Sequence, residues 1–453
     1  MTLTGPRTVR HPSPAPARGS VFAPGWPLAA LFVLYPLWWA LGLRTIIFPV
    51  LAVPMALTLL KRRPIKVPPG FGLWLLFLVW FVASMSMLRQ NPPGTIDDGF
   101  HASELMAVAV RLVEYLTITV ALLYLGNLSE KELPRLRVVR MLGALFLTTV
   151  IGGLFALALP TFEFTSPVEM ILPSALANEP YVQSLVHPST AQVMDFLGYT
   201  EGRPAAPYGY TNEWGQNLNL LLVWFAVGWF MRGTHLRRTI SLVACCLALA
   251  PAIYSLNRGL WIGLALSAIY LAVRLAARGR LWGLGALGTL TAALAIAFVV
   301  SPLQEVVTAR LAHPHSNSIR GFTVERTIEA TSHSPVLGYG NTRDNRGSAH
   351  SIAIGPTPAC PNCGTATLGS NGQLWLVLIS QGYVGAAIYL SFFVVALLRY
   401  GRDPTPIGWA GTLVLLLSFM YMFVYNALVM PLMIYMLSFG LLWRNDTDRR
   451  AAE

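Results

Sequence analysis

Met141-Leu-Gly-Ala-Leu-Phe-Leu-Thr-Thr-Val-Ile-Gly-Gly-Leu-Phe-Ala-Leu-Ala-Leu159 runs for nineteen residues without one charged side chain. A hydrocarbon core of about 30 Å is crossed by about 20 apolar residues in a helix. In lipid, only helices and closed barrels satisfy every backbone N–H and C=O. A barrel strand alternates apolar and polar positions, whereas this stretch is apolar at consecutive positions. It therefore reads as a membrane-spanning helix. The pattern recurs outward from it, at roughly 27–43, 45–60, 71–88, 104–126, 214–231, 239–256, 260–275, 281–301, 372–397, 406–425 and 429–443. The expected fold is all-α, a polytopic transmembrane helical bundle of about twelve spans. Of 453 residues, 55% are hydrophobic and 11% charged, which excludes a soluble fold. Pro36, Pro49 and Pro54 fall in the first pair of spans, where a membrane helix tolerates a kink.

The net charge of +12 raises the question of nucleic acid, and its distribution answers no. Basic residues sit in short clusters between apolar runs, as they do in cytoplasmic loops. With the N-terminus inside, the inner segments carry Arg7, Arg10 and Arg18, then Lys61, Arg62, Arg63 and Lys66, then Lys131, Arg135, Arg137 and Arg140. Arg232, Arg237 and Arg238 follow, then Arg274, Arg278 and Arg280, then Arg399 and Arg402, then Arg444, Arg449 and Arg450. That is 22 of the 32 basic residues against six acids. The expected location is the inner (plasma) membrane, multi-pass, with both termini cytoplasmic. Residues 1–26, rich in Pro, Ala and Arg, read as a disordered tail; 27–443 form the membrane domain; 444–453 form a second cytoplasmic tail.

Two long loops, 160–213 and 302–371, then fall on the outer face, the second between spans nine and ten. The second carries His313, His315, His333, His350, Arg310, Arg320, Arg326, Arg343 and Arg346. A solvated surface accounts for them, but cations are disfavoured on that side, and binding an anion gives them a reason. Cys360-Pro-Asn-Cys363 lacks the second pair of a zinc site, so a local disulfide is the better reading. Cys245 and Cys246 read as packing residues within an apolar run. His313-Pro-His315 has no carboxylate nearby and makes a poor metal site. No Gly-rich nucleotide loop and no Asp-x-Asp motif occurs in an inner loop, so neither metal nor cofactor is expected.

Three segments carry chemistry. Glu201-Gly-Arg203-Pro-Ala-Ala-Pro-Tyr-Gly-Tyr-Thr-Asn212-Glu-Trp-Gly-Gln leads into the sixth span. Ser255-Leu-Asn257-Arg258-Gly259-Leu-Trp261 makes a very short outer turn. The third runs from Arg320 through Pro335-Val-Leu-Gly338-Tyr-Gly340 to Ser370-Asn371-Gly-Gln-Leu-Trp and Gln381-Gly382-Tyr-Val-Gly385. Within the fourth span, Arg111 and Glu114 lie three residues apart on one helical face. They read either as a functional pair or as a clamp between helices.

In this order and topology, the three segments resemble the O-antigen ligase and O-antigen polymerase family of bacterial membrane glycosyltransferases, over most of the chain. The family's Arg and Asn about nine residues apart at a helix entrance correspond to Arg203 and Asn212. Its Ser-Arg-Gly-like turn corresponds to Asn257-Arg258-Gly259, and its Arg some fifteen residues before Pro-x-x-Gly-x-Gly to Arg320. Members usually carry a His eleven residues ahead of a Gly before the next helix; counting back from Gly382 gives Asn371.

The resemblance implies transfer of a glycan from a polyprenyl-pyrophosphate carrier such as undecaprenyl pyrophosphate, at the extracytoplasmic face. The acceptor would be a hydroxyl on another lipid-linked glycan (polymerase) or on a different glycan or lipid (ligase), in cell-surface polysaccharide assembly. Guanidinium groups suit a pyrophosphate, being permanently charged and bidentate. Arg258, Arg203 and Arg320 are expected to hold it, Asn371 to orient the acceptor and His350 to act as base. Asn212, Arg343 and Arg111 complete the expected substrate-binding set. Interfacial snorkelling is the plain alternative for Arg258, and a transporter or flippase of lipid-linked glycan is the rival class.

Overall fold

The computed structural model of the protein describes residues 23–96, 102–177, 180–195, 200–289, 291, 315–347 and 365–452. His313, His350, Cys360, Cys363, most of the first tail and most of the ninth expected span lie outside the described residues.

Helices dominate. The first expected span is two short helices, α1 (Trp26–Val33) and α2 (Tyr35–Leu41), with Pro36 starting the second. Then come α3 (Ile47–Leu60), α4 (Phe71–Ser84), α5 (Ala102–Asn127) and α6 (Arg135–Ala158), the last containing most of the uncharged run. After three short helices, α7 (Pro167–Ile171), α8 (Ser174–Ala177) and α9 (Pro180–Val186), the chain enters α10 (Thr211–Phe225), which widens into a π turn at Ala226–Met231. α11 (His235–Tyr254) and α12 (Arg258–Ala276) follow as a hairpin. Beyond them lie α13 (His315–His333), α14 (Gln373–Tyr400), α15 (Pro406–Tyr421) and α16 (Met430–Ala452).

Among the described residues, five helices are long and apolar enough to cross a membrane: Glu104–Asn127, α6, α11, α12 and α14. Shorter apolar helices occupy Ile47–Leu60, Phe71–Met87 and Pro406–Tyr421. α16 is buried on every side from Met430 to Trp443 and forms the axis of the bundle. The outer helices do the reverse. Only 28% of the apolar window of α11 and 22% of that of α12 is buried. Leu242, Leu249, Ile262 and Val273 stand exposed on them. Apolar faces of this extent suit lipid rather than water, and they suggest a membrane protein. Cys245 and Cys246 are exposed on this face of α11, which corrects their reading as packing residues.

The two long loops are more ordered than a loop reading allows. The first contains α7 to α9 and an antiparallel hairpin, β1 (Ala191–Asp195) with β2 (Thr200–Pro204), in which Gln192 pairs with Arg203. The second contains α13 and a second hairpin, β3 (Arg343–Arg346) with β4 (Thr365–Leu368). The segments rich in Lys and Arg meet at the opposite end of the bundle. Arg62 binds Glu132, Arg135 reaches Glu130 at 3.0 Å and Asp448 at 3.2 Å, and Arg399 lies 3.6 Å from Asp446. Arg278 donates to the Pro404 carbonyl, and Arg140 to that of Arg232 at 3.2 Å. Six segments assigned to one side by charge are thus in mutual contact.

Candidate functional site: three arginines around Tyr425

The turn between α11 and α12 shows why the second segment has its sequence. Leu256 holds a φ of 51°, a left-handed conformation costing an L-residue roughly 1–2 kcal/mol. Hydrogen bonds on both sides hold it there. The Arg203 Nε donates to the Ser255 carbonyl at 2.6 Å. Asn257 caps α12, its Oδ1 accepting from the Leu260 N–H at 2.9 Å, and its Nδ2 donates to the Thr211 carbonyl at 3.2 Å. That same Oδ1 accepts from the Tyr425 hydroxyl. Arg258 is the first residue of the helix and is half-buried. Gly259 follows because a Cβ there would run into the Tyr425 ring and hydroxyl, and Gly215 because one would meet the Asn257 amide.

The first segment joins the same place. Arg203 on β2 is buried, and its carbonyl accepts from the Thr211 hydroxyl at 3.3 Å. Asn212 sits half-buried in the first turn of α10. The third segment acts as a clasp. α14 breaks at Gly382, whose φ of 70° and ψ of −176° interrupt the helix. The freed groups are taken up by Pro335–Gly340. The Tyr339 N–H donates to the Ile379 carbonyl and that of Gly340 to Ser380, both at 2.8 Å, and the Tyr383 N–H donates to Pro335 at 2.8 Å. The Trp80 Nε1 bridges the carbonyls of Val336 at 3.0 Å and Gln381 at 3.1 Å. Gly338 and Gly382 touch backbone to backbone, where neither has room for a side chain.

The clasp fixes α13 against the bundle, and with it Arg320. The Arg320 guanidinium lies 5.7 Å from the centroid of the Tyr425 ring, a cation–π contact. The charges of Arg320, Arg203 and Arg258 all act on the Tyr425 hydroxyl, and Arg258 and Arg320 are close enough to repel one another. Asn371 donates to the Thr323 hydroxyl at 2.6 Å, one helical turn from Arg320. The next residues reach back to the same tyrosine, since the Gln373 N–H donates to the Tyr425 carbonyl at 2.9 Å. The neighbouring Asn426 donates to the Ser370 carbonyl at 3.1 Å.

The remaining expected residues stand apart. Arg343 is buried and bonded to protein: Nε to Asn91 at 2.8 Å, Nη1 to the Thr342 carbonyl at 2.9 Å, and Nη2 to the carbonyls of Leu88, Gln90 and Tyr339. Glu104 lies 3.4 Å away. Burial pulls this guanidinium down from its ordinary value, with Glu104 opposing the shift. Arg111 lies on α5 beside Glu114 and Tyr115, and Tyr115 connects to Gln373 through a 3.0 Å hydrogen bond. His350 lies outside the described residues. Sequence reasoning missed Tyr425, which at the end of an apolar span reads as one more interfacial aromatic. No protein-family model matches the chain, and a search of curated proteins finds no match.

Proposed function

We propose that the protein is a membrane glycosyltransferase that takes a glycan from a polyprenyl-pyrophosphate carrier and joins it to an acceptor hydroxyl. The observation that carries this reading is the convergence of Arg203, Arg258 and Arg320, from three distant segments, around Tyr425. Gathering like charges is unfavourable, and a polyanion turns it to advantage. A pyrophosphate offers that charge and the oxygen geometry that guanidinium groups match. As the acceptor oxygen attacks the anomeric carbon, the bond to the pyrophosphate oxygen breaks. Negative charge grows on the leaving group, where preplaced arginines stabilise it. Asn371, bonded to Thr323 one helical turn from Arg320, would orient the acceptor.

Arg343 is left out of this set because its donors are already engaged, and Arg111 because it lies beside Tyr115, which reaches the cluster through Gln373. The finer topology belongs to the same proposal. It comprises about twelve spans in the plasma membrane, both termini inside, and the arginine cluster outside. A flippase would use the same cations but needs a continuous polar path through the bundle. Three polar side chains of α10 are tied to neighbouring helices: Gln216 to Tyr435 at 2.7 Å, Asn219 to Tyr421 at 3.0 Å, and Trp224 to Ser438 at 2.9 Å.

The test is reconstitution in proteoliposomes with a defined polyprenyl-pyrophosphate oligosaccharide, scoring product length and release of carrier. Lengthened or transferred glycan with free polyprenyl pyrophosphate is expected. Translocation with the glycan still on its carrier would make the protein a flippase.

A further inference from the structure

The end of the bundle far from Tyr425 carries a second group of arginines with a different character from its neighbours. Arg62, Arg135, Arg399 and Arg444 each lie on a carboxylate. Arg140, Arg232, Arg237 and Arg238 form no ion pair among the described residues, although they crowd together. The Arg140 Nη2 donates to the Arg232 carbonyl at 3.2 Å, and Arg237 lies near enough to repel Arg140. The Arg140 Nε is buried and has no acceptor among the described residues. A cavity of about 180 Å³ adjoins them, its wall including Arg135, Arg232, Val139, Val227 and Asn445 together with Glu130, whose carboxylate is already paired with Arg135 and Arg444. Arg232 belongs both to the cavity wall and to the arginine group.

The surroundings say which anion fits. Trp229 donates to the Arg140 carbonyl at 3.1 Å, and its ring lies 5.9 Å from the Arg237 guanidinium. Phe230, Met231 and Leu236, between and beside these arginines, are exposed. An indole, exposed apolar side chains and guanidinium groups at one level form the pattern of a membrane–water interface. We infer that this notch binds the phosphate of an anionic membrane lipid, with Arg140 and Arg232 holding the headgroup and the acyl chains lying along the apolar side chains beside it. The phosphate supplies the acceptor that the Arg140 Nε lacks, and it offsets the repulsion within the group. This inference needs a membrane protein but not glycosyl transfer.

The test uses the full chain, delipidated in neutral detergent, with binding read by native mass spectrometry and by the thermal midpoint. Phosphatidylglycerol, phosphatidylcholine and inorganic phosphate are the three probes. Phosphatidylglycerol is expected to bind and to raise the midpoint, and the other two to do neither. A cation near the surface contributes about 1 kcal/mol to anionic-lipid binding, so Arg232→Gln should weaken phosphatidylglycerol about fivefold. Arg140→Gln with Arg232→Gln should weaken it about 25-fold. Arg278→Gln, which removes a cation stacked 4.3 Å from the Trp409 centroid, should change it little. Because Arg232 is exposed, its single variant keeps the test open if the double variant fails to fold. Equal binding of the two lipids, equal response to inorganic phosphate, or an unchanged Arg232→Gln would overturn the inference.

Discussion

Arg258 is held at the start of α12 by a strained turn, a capping asparagine and a buried tyrosine. If it stabilises a leaving pyrophosphate through two parallel N–H bonds, Arg258→Lys should be nearly as damaging as Arg258→Ala. An ammonium keeps the charge but loses the planar fork. Both should cost about 10²–10³ in transfer rate. A lysine variant of normal rate would show an interfacial anchor instead. Tyr425→Phe removes the hydroxyl that donates to Asn257 and leaves the ring beneath Arg320. Stability should fall by about 1–2 kcal/mol. The transfer rate should fall more than donor affinity does, because Arg258 is displaced while the charges remain; an equal loss in both would make Tyr425 a packing residue. The Asn257-Arg258-Gly259 turn was legible in the sequence because a short polar stretch there interrupts two long apolar runs. Tyr425 was not, since its partners lie 168 and 105 residues away along the chain.

At the scale of elements, the break in α14 is what ties α13 and the segment after it to the bundle. Gly382→Ala would place a methyl against the carbonyls of Pro335 and Val336, in a backbone conformation that alanine resists. The expected cost is about 2 kcal/mol or more. Protease cleavage within 315–347 should rise with it, because α13 loses its clasp. Gly321→Ala, on an open face of α13, is the control that should change neither. Unchanged protease resistance in Gly382→Ala would mean that α13 is held by something else. α13 escaped the sequence reading for a physical reason. Its buried stripe is Thr323, Thr327 and Thr331, each returning its hydroxyl to a carbonyl of the preceding turn. A helix that hides threonines shows no apolar periodicity. The long apolar helices were legible because lipid demands consecutive apolar residues.

At the scale of the molecule, the two ends differ in chemistry. One end is laced by ion pairs, and pH probes it. Arg62 and the Ser129 N–H and hydroxyl hold the Glu132 carboxyl down at about 2, from an ordinary 4.5. A depressed carboxylate stabilises the fold fully above about 4.5, and that contribution is lost as pH falls toward 2. The pair is partly exposed, so about 1 kcal/mol is at stake. The drop in thermal midpoint between pH 5 and about 3 should shrink in Glu132→Gln; an identical drop would assign the acid sensitivity elsewhere. Orientation is the remaining question at this scale. The segments around Arg63, Arg137 and Arg278 belong to the ion-paired end, which the proposed topology puts in the cytoplasm. Single cysteines placed beside them, in a chain whose four native cysteines are replaced by serine, should resist an impermeant thiol reagent in intact cells. Cysteines beside Asp195 and Asp344, on the two hairpins that neighbour the arginine cluster, should react. The reverse pattern would put Tyr425 and its arginines inside the cell. There a glycan donor presented on the outer leaflet cannot reach them, and the proposed reaction would lose its substrate.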